Sequence, residues 1–209
     1  PANWFTEDFL SGALNTKYLL VGDDFRFGRG REGDFELLEK AGSEKGFEVE
    51  RAQTLEFEGE RISSSRVRES LANGDFELAK ALMGRPYSIM GRVVYGRQLG
   101  RQLGVPTANV RLQRYRSALE GVYSVSVDGL DVGRKNGIAN IGIRPTVGGK
   151  EPLLEVHLFD FSGDIYGHLI SVTFHQKIRD EQQFASIELL KAQIEKDIVR
   201  SQDWFLSNA

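Results

Sequence analysis

The sequence contains no cysteine and only three histidines among its 209 residues. The missing cysteines exclude disulfides, thiolate metal sites and thiol nucleophiles, and they suit a reducing compartment, so we expect a cytoplasmic location. The histidines, His157, His168 and His175, do not pair at the spacing of helical metal ligands. Any catalysis or metal binding must therefore use oxygen and nitrogen groups of other residues.

The sequence also lacks long hydrophobic runs and a strong charge of one sign. No apolar run approaches the roughly 18 to 20 residues that a helix needs to cross a bilayer, and no signal peptide is visible. The formal net charge is -3, so no overall positive field attracts nucleic acid or an anionic membrane. We therefore expect small-molecule partners, with no nucleic acid and no membrane partner.

Residues 1–83 alternate between predicted strand and helix. The periodicity predicts, in order, strand 17–22, helix 35–45, strand 47–52 and helices 64–72 and 75–83. A strand, a helix and a strand in succession favour a βαβ unit with a parallel sheet.

From residue 84 onward, short alternating strands replace the helices. The candidate strands are 87–95, 121–127, 137–143, 153–161 and 169–174. Short strands at close spacing predict a small antiparallel barrel. A final helix follows the predicted N-cap Ser186 and should close one side of the barrel with an apolar face made of Ile187, Leu190, Ile194 and Ile198. The boundary at 84–87 gives two domains, 1–83 and 84–209.

The segment with the most unusual composition is Gly91–Asn109, in which four glycines surround an arginine-rich loop. Backbone N–H groups near glycine can approach a polyphosphate, and Arg97 and Arg101 could add charged hydrogen bonds. An ordinary hairpin turn is the alternative. No GxxxxGKS/T phosphate loop occurs, so the nucleotide folds that carry this motif are not supported.

Two short features inside the barrel domain suggest chemistry. Thr107 and Asn109 are two residues apart, so in an extended strand both side chains project to the same face. A hydroxyl and an amide oxygen can bind a hard cation such as Mg²⁺, although polar residues at a strand start can also serve turn hydrogen bonds. Glu155 lies between apolar neighbours in a predicted strand. It could face a cleft, or it could be a solvent-facing acid paired with an arginine across the sheet.

Residues 84–205 resemble the riboflavin kinase family. The likeness begins with Gly91–Asn109, which is similar to the family's ATP-binding flap ending in Pro-Thr-Ala-Asn. It continues in family order through Gly121–Tyr123, Asn140–Gly142, Arg144–Thr146, Glu155–Phe161, Tyr166–Gly167, Lys177–Glu181 and Phe184. The resemblance implies a transferase with Mg²⁺ and ATP on one side of a small barrel and riboflavin on the other, phosphorylating the riboflavin 5′-hydroxyl to FMN.

The resemblance also implies roles for individual residues. Glu155 matches the catalytic carboxylate that takes the proton of the flavin hydroxyl, and Thr107 and Asn109 match the magnesium-binding pair. The family's ATP positions fall on Tyr95, Gly100, Arg101, Leu158, Asp160 and Tyr166, and its flavin positions fall on Arg179, Gln182 and Phe184.

Two of the flavin positions have open alternatives. Gln182 stands where some family members carry lysine, and Arg179 could instead only pair with Asp180 or Glu181. His157 shares a strand face with the proposed catalytic acid, and we interpret it as a packing or hydrogen-bonding residue rather than a proton shuttle.

Residues 1–83 resemble the later part of the FMN adenylyltransferase module that precedes the kinase in bacterial bifunctional enzymes. The matching segments are Val21–Gly28 and Ile62–Arg68. The implied fold is an α/β remnant of a Rossmann-like nucleotidyltransferase module, followed by the antiparallel β-barrel and its C-terminal helix. A triphosphate could be held by serines and arginines at a helix start, namely Ser63, Ser64, Arg66 and Arg68. Ordinary helix capping is the alternative.

The family's histidine-containing catalytic motif should lie upstream of these segments, yet no histidine precedes His157. The chain opens on Pro1, which we interpret as an engineered or cleaved boundary. We therefore expect this chain alone to form no FAD, and the parent protein to make both FMN and FAD. An incomplete module would expose apolar surface and favour self-association. The other hypotheses are a non-catalytic flavin- or nucleotide-binding barrel and an assembly fragment.

Overall fold

The computed structural model describes residues 1–96, 100, 104–112, 117–146 and 149–208, with only the backbone described for 143–146 and 149–151. Contacts divide the chain into two compact units, Pro1–Ile62 and Ser63–Ala209. Among the described residues, no helix has the length and apolar character needed to cross a membrane.

The first unit is built around two parallel strands and the helix between them. Its elements are α1 (Ala2–Trp4), which continues as a π-helical segment (Phe5–Ala13), β1 (Tyr18–Val21), α2 (Phe35–Lys45), β2 (Glu48–Arg51), β3 (Glu56–Phe57) and β4 (Glu60–Arg61). β1 and β2 pair in parallel, so the predicted βαβ unit is confirmed. The Asp34 carboxylate caps α2 by accepting a hydrogen bond from the Leu37 N–H at 3.0 Å, and Gly46 ends the helix in a left-handed conformation.

The two short helices after the first unit occur where they were predicted, as α3 (Ser64–Ala72) and α4 (Phe76–Met83). Their apolar residues join the core of the second unit. Phe76 lies 5.8 Å from Tyr123 and 6.5 Å from Phe174 between ring centroids. Because these helices bury their apolar faces against the barrel, the division by contacts falls before α3, ahead of the sequence boundary at 84–87.

Six strands form a closed antiparallel barrel, which confirms the predicted architecture. They are β5 (Ser88–Val94), β6 (Ala108–Arg111), β7 (Gly121–Asp128), β8 (Lys135–Thr146), β9 (Gly149–Leu158) and β10 (Leu169–Arg179), in the order β10-β5-β6-β9-β8-β7. Inward-facing residues such as Val93, Val110, Val125 and Leu154 fill the interior. β6 is absent from the predicted strands because four residues after a glycine-rich loop give too short an alternation to detect.

The C-terminal helix α5 (Ile187–Ser207) packs on one side of the barrel. It does not close the barrel as predicted, because the six strands already form a closed ring of hydrogen bonds. The Ser186 hydroxyl accepts a hydrogen bond from the Leu189 N–H at 3.3 Å, so the predicted N-cap is confirmed. The predicted apolar face of α5 is divided between two environments. Ile198 packs on an apolar cluster of the outer barrel surface, whereas Ile187 is 59% exposed.

His175 of β10 joins the end of α5 to the barrel. Its ring stacks on Trp204 at a centroid distance of 5.3 Å and meets Phe205 edge-on at 5.7 Å, while Nε2 lies 2.9 Å from the Ser126 hydroxyl. Burial, with a smaller contribution from the positive charge of Arg134, lowers the pKa of His175 below its ordinary value of 6.5.

We expect the free energy of unfolding to decrease as the pH falls below 6.5. In that range the unfolded chain protonates His175 while the folded chain resists protonation, so the unfolded state binds more protons. Thermal unfolding by circular dichroism from about pH 8 to about pH 5 measures this effect. His175→Gln should be less sensitive to pH than the wild type, with His168→Gln as the matched control. Identical profiles for His175→Gln and wild type would contradict the prediction.

Candidate active site

Polar side chains from neighbouring strands lie side by side on the outer face of the barrel. Asn109 of β6 stands opposite Glu155 of β9, which stands opposite Asn140 of β8. Directly opposed residues of antiparallel strands project to the same face. On the next strands, Asn140 stands opposite Val122 of β7, and Val122 stands opposite Arg179 of β10. These five residues, called here the outer-face row, bring predicted catalytic, metal-binding and flavin-binding residues into one row around the barrel.

Every member of the outer-face row except Asn109 lines a cavity of about 570 Å³, called here the first cavity. Its remaining walls include Ile138, Phe184 and, from α5, Leu190 and Ile194. The part of the α5 apolar face that does not pack on the barrel therefore covers this cavity. Broad apolar walls beside a line of polar groups suit a flat organic ligand with one polar end.

Partners on two sides hold Arg179. Its Nε donates a hydrogen bond to Asp197 Oδ2 at 2.8 Å, and a terminal nitrogen donates to the Asp180 carbonyl oxygen at 2.9 Å. The guanidinium carbon lies 5.6 Å from the centroid of the Phe184 ring, within cation–π range. The alternative that Arg179 only pairs with its neighbouring acids is wrong, because its carboxylate partner lies on α5. Sequence reasoning missed Asp197, although an acid next to an apolar helix stripe was a usable signal.

A second cavity of about 560 Å³ lies beside β6 and β9. The predicted ATP residues Tyr95, Leu158 and Tyr166 line it, and the two tyrosine rings stack with centroids 3.8 Å apart. Asp160 lies in the exposed turn after β9, and Arg101 lies outside the described residues, so their roles stay predictions.

Thr107, immediately before β6, lines both the first and the second cavity. Gly100 packs against it: a Cβ atom at Gly100 would lie 3.1 Å from Thr107 Oγ1 and only 2.4 Å from the Val105 carbonyl oxygen. Glycine at this position therefore allows a close approach to the junction of the cavities. Gly100, predicted to bind ATP, lines the first cavity rather than the second.

Asn109 lies two residues after Thr107 and lines neither cavity. The residue is 4% exposed, and its Oδ1 has no hydrogen-bond partner among the described residues. Gly96 packs on the same amide, since a Cβ there would lie 2.3 Å from Asn109 Nδ2. A buried carbonyl oxygen without a partner costs about 1 to 3 kcal/mol, and a neutral oxygen of this kind can bind Mg²⁺ together with phosphate and water. The donor set of Thr107 and Asn109 thus fits magnesium. No group of three or more His, Cys, Asp or Glu side chains offers another metal site within the described part of the chain.

Glu155 is half-buried and is the second residue of the outer-face row, between the amide residues Asn109 and Asn140. His157 shares its strand face, and His157 Nδ1 donates a hydrogen bond to the Pro106 carbonyl oxygen at 2.8 Å. This bond ties the segment before Thr107 to β9 and agrees with the interpretation of His157 as a hydrogen-bonding residue.

The other predicted site residues are located as follows. Gln182 is exposed and lines the first cavity. Ser63 is the N-cap of α3, and its hydroxyl accepts a hydrogen bond from the Arg66 N–H at 3.2 Å. Ser64 and Arg68 are exposed on the first turns of that helix. The capping alternative is thus observed, and the role of these residues in phosphate binding stays a prediction.

A charged cluster follows the carboxyl end of β1 in the first unit. The Arg61 guanidinium lies 3.0 Å from Asp23 and 3.2 Å from Asp24, and the Thr54 hydroxyl donates to Asp23 at 2.7 Å. The hydrogen bond from Thr54 is the main cause that lowers the pKa of Asp23. The carboxyl ends of parallel strands commonly bind ligands, so the cluster belongs to the part of this unit where a nucleotide would be expected.

Two protein-family models match the chain. Residues 83–205 match the family described as riboflavin kinase, and residues 1–66 match the family described as FAD synthetase.

Similar proteins are named for both a riboflavin kinase and an adenylyltransferase activity. The bifunctional riboflavin kinase/FMN adenylyltransferase of Pseudomonas fluorescens is 54% identical over 195 residues, which cover 93% of this chain and 62% of the relative. The protein of that name from Escherichia coli (strain K12) is 52% identical, covering 96% of this chain and 64% of the relative. The chain therefore spans less than two thirds of the length of these relatives.

A solved structure also resembles the chain. It is described as a macrolide-efflux protein from Streptococcus pneumoniae and is 33% identical, with a TM-score of 0.66. The match covers 92% of this chain and 62% of that chain.

Proposed function

The chain belongs to the riboflavin kinase family, and on that premise we propose that its second unit transfers the γ-phosphoryl group of ATP to the 5′-hydroxyl of riboflavin. The observation that carries this proposal is the position of Thr107 as a shared wall of two cavities of similar volume. A kinase needs a donor site and an acceptor site that meet at one point, because the nucleophile must approach the phosphorus in line with the leaving group.

The two cavities differ in character, and this difference supports an assignment of one substrate to each cavity. The first cavity has the broad apolar wall of α5 and the guanidinium–aromatic pair of Arg179 and Phe184, which suit the isoalloxazine ring. The second cavity carries the stacked Tyr95 and Tyr166, which suit a nucleotide base. ATP and riboflavin would then present the γ-phosphate and the 5′-hydroxyl to each other at Thr107.

In the proposed reaction, Glu155 accepts the proton of the 5′-hydroxyl. As the ribityl oxygen forms its bond to the γ-phosphorus and the bond to the β-phosphate oxygen breaks, the hydroxyl proton passes to the Glu155 carboxylate. Thr107 and Asn109 would hold Mg²⁺, which supplies charge neutralisation over the β- and γ-phosphates when bound. Asn140 and Val122 lie between Glu155 and Arg179 in the outer-face row, so they would lie along the flavin side chain.

Turnover by the purified chain tests the proposal. Incubation with riboflavin, ATP and Mg²⁺ followed by chromatography of the flavins should yield FMN, and omission of Mg²⁺ should abolish it. Riboflavin binding without any FMN would instead favour the non-catalytic barrel, and the kinase proposal would be withdrawn. The half-buried carboxylate in the outer-face row favours the kinase, because a protein that only binds flavin does not need a proton acceptor there.

We further propose that the whole protein adenylylates FMN to FAD, as the names of the relatives state for those proteins. The first unit, with its βαβ arrangement and the charged cluster after β1, supports this part of the proposal.

For this chain alone, incubation with FMN, ATP and Mg²⁺ followed by chromatography of the flavins should give no FAD. FAD formation would contradict the expectation that this chain alone does not adenylylate FMN.

A further inference from the structure

We propose that Asp197 of α5 is a positioning residue, which fixes the Arg179 guanidinium against Phe184 and thereby sets the affinity of the enzyme for the flavin ring. The inference rests on the proposed kinase function. It assigns a role to a helix residue that lies outside every motif considered above.

Hydrogen bonds fix the orientation of the Asp197 carboxylate. Each of its carboxylate oxygens accepts one hydrogen bond, Oδ2 from Arg179 Nε at 2.8 Å and Oδ1 from Gln193 Nε2 at 2.8 Å. The side chain of Asp197 is 5% exposed and that of Arg179 is 15% exposed, so the ion pair is largely removed from water. A buried pair of this kind has a fixed geometry, because either charge left alone would be strongly unfavourable.

Two parts of the fold hold the Arg179 side chain, namely the end of β10 with the residue that follows it, and α5. β10 carries it, the carbonyl of Asp180 binds one terminal nitrogen, and α5 binds Nε through Asp197. A guanidinium held at two nitrogens has lost the rotamer freedom of a free arginine, so a ligand that stacks beside Phe184 does not have to order it. The C-terminal helix therefore contributes to flavin binding through a charge, in addition to its apolar wall.

The place of Arg179 in the outer-face row indicates which end of the flavin it contacts. Arg179 is three strands away from Glu155, through β7 and β8. At about 4.8 Å between neighbouring strands, the path around the closed barrel from one position to the other is about 14 Å. Since Glu155 receives the 5′-hydroxyl, Arg179 lies at the opposite end of the substrate, beside the ring. An interaction so far from the reacting atoms is equally strong in the ground state and the transition state, so it changes KM rather than kcat.

The test uses Asp197→Asn in the full chain, with riboflavin affinity measured both as KM and as an equilibrium Kd from the quenching of flavin fluorescence. We expect Kd and KM for riboflavin to rise about tenfold, a typical size for coupling between contacting residues. KM for ATP and kcat should change less than about twofold. Asp203→Asn, at an exposed acid of the same helix, is the matched control and should leave all four constants unchanged.

A double-mutant cycle shows whether Asp197 acts through Arg179. In an Arg179→Met background, Asp197→Asn should raise Kd by less than about twofold further, because the group it positions is gone. A full tenfold rise in that background would overturn the proposal, and so would an unchanged Kd in the wild-type background.

Gln193→Leu provides a second test in case Asp197→Asn, which loses the buried charge, does not fold. It removes one support of Asp197 and leaves the ion pair intact, so riboflavin Kd should rise by about threefold. An unchanged Kd in Gln193→Leu would overturn the proposal in that case. Failure of the kinase function itself is recognised separately, because the wild-type chain would then form no FMN while still giving a measurable flavin Kd.

Discussion

Glu155→Gln is expected to lower kcat for FMN formation by about 10²- to 10⁴-fold, the usual contribution of a positioned general base. The glutamine keeps the shape of the side chain and its place between Asn109 and Asn140, but it cannot accept the hydroxyl proton at neutral pH. Riboflavin Kd should remain within about threefold of the wild-type value, because the contacts with the ring lie at the other end of the first cavity. Rapid-quench or steady-state chromatography of FMN measures the rate.

Glu195→Gln is the matched control for this substitution, since Glu195 is an exposed glutamate on α5. It should form FMN at the wild-type rate. Equal rates for Glu155→Gln and the wild type would end the assignment of Glu155 as the base, while leaving the kinase assignment in place. Loss of both activity and flavin binding would indicate a structural effect instead.

Asn109→Leu should abolish most kinase activity without destabilising the fold. The substitution removes a magnesium ligand, and activity is expected to fall by about 10²-fold or more, as when one electrostatic stabiliser of a transition state is removed. It also removes the buried Oδ1 that has no hydrogen-bond partner among the described residues, a group whose burial costs about 1 to 3 kcal/mol. The variant should therefore unfold at or above the wild-type temperature, whereas loss of a satisfied core residue would lower it.

The effect of Mg²⁺ on nucleotide binding distinguishes loss of a magnesium ligand from general damage to the site. In the wild type, Mg²⁺ should tighten ADP binding, measured by calorimetry, and in Asn109→Leu this effect of Mg²⁺ should be absent. Asn136→Leu, at an exposed asparagine of β8, is the matched control and should keep both the magnesium effect and activity. A wild-type magnesium effect in Asn109→Leu would show that the ion is held elsewhere.

Local patterns in the sequence predicted much of this structure. The strand–helix–strand of the first unit, the helices α3 and α4, and the N-cap at Ser186 all occur where the periodicity and the capping residues placed them. The barrel itself followed from repeated short alternations between turns. These features depend on residues close together in the chain, so a window of sequence carries the signal.

Other features could not be predicted from such windows. β6 is only four residues long, and it becomes a strand because β5 and β9 pair with it on either side. The second unit begins before α3 because Phe76 of α4 packs into the barrel core. The apolar stripe of α5 predicted a buried face, but a stripe does not indicate whether it meets other side chains or the wall of a cavity.

The sequence by itself determined the classes of element, their order and the barrel, because each of these depends on residue types at short spacing. The candidate site residues came instead from the resemblance to the riboflavin kinase family. The tertiary structure alone decided which of those residues meet. It aligned Asn109, Glu155 and Arg179 by strand register, placed Thr107 between two cavities, and brought Asp197 to Arg179 across 18 positions of the chain. Contacts of this kind form only when the barrel closes and α5 folds back over it, since no local spacing specifies the distance between residues on different elements.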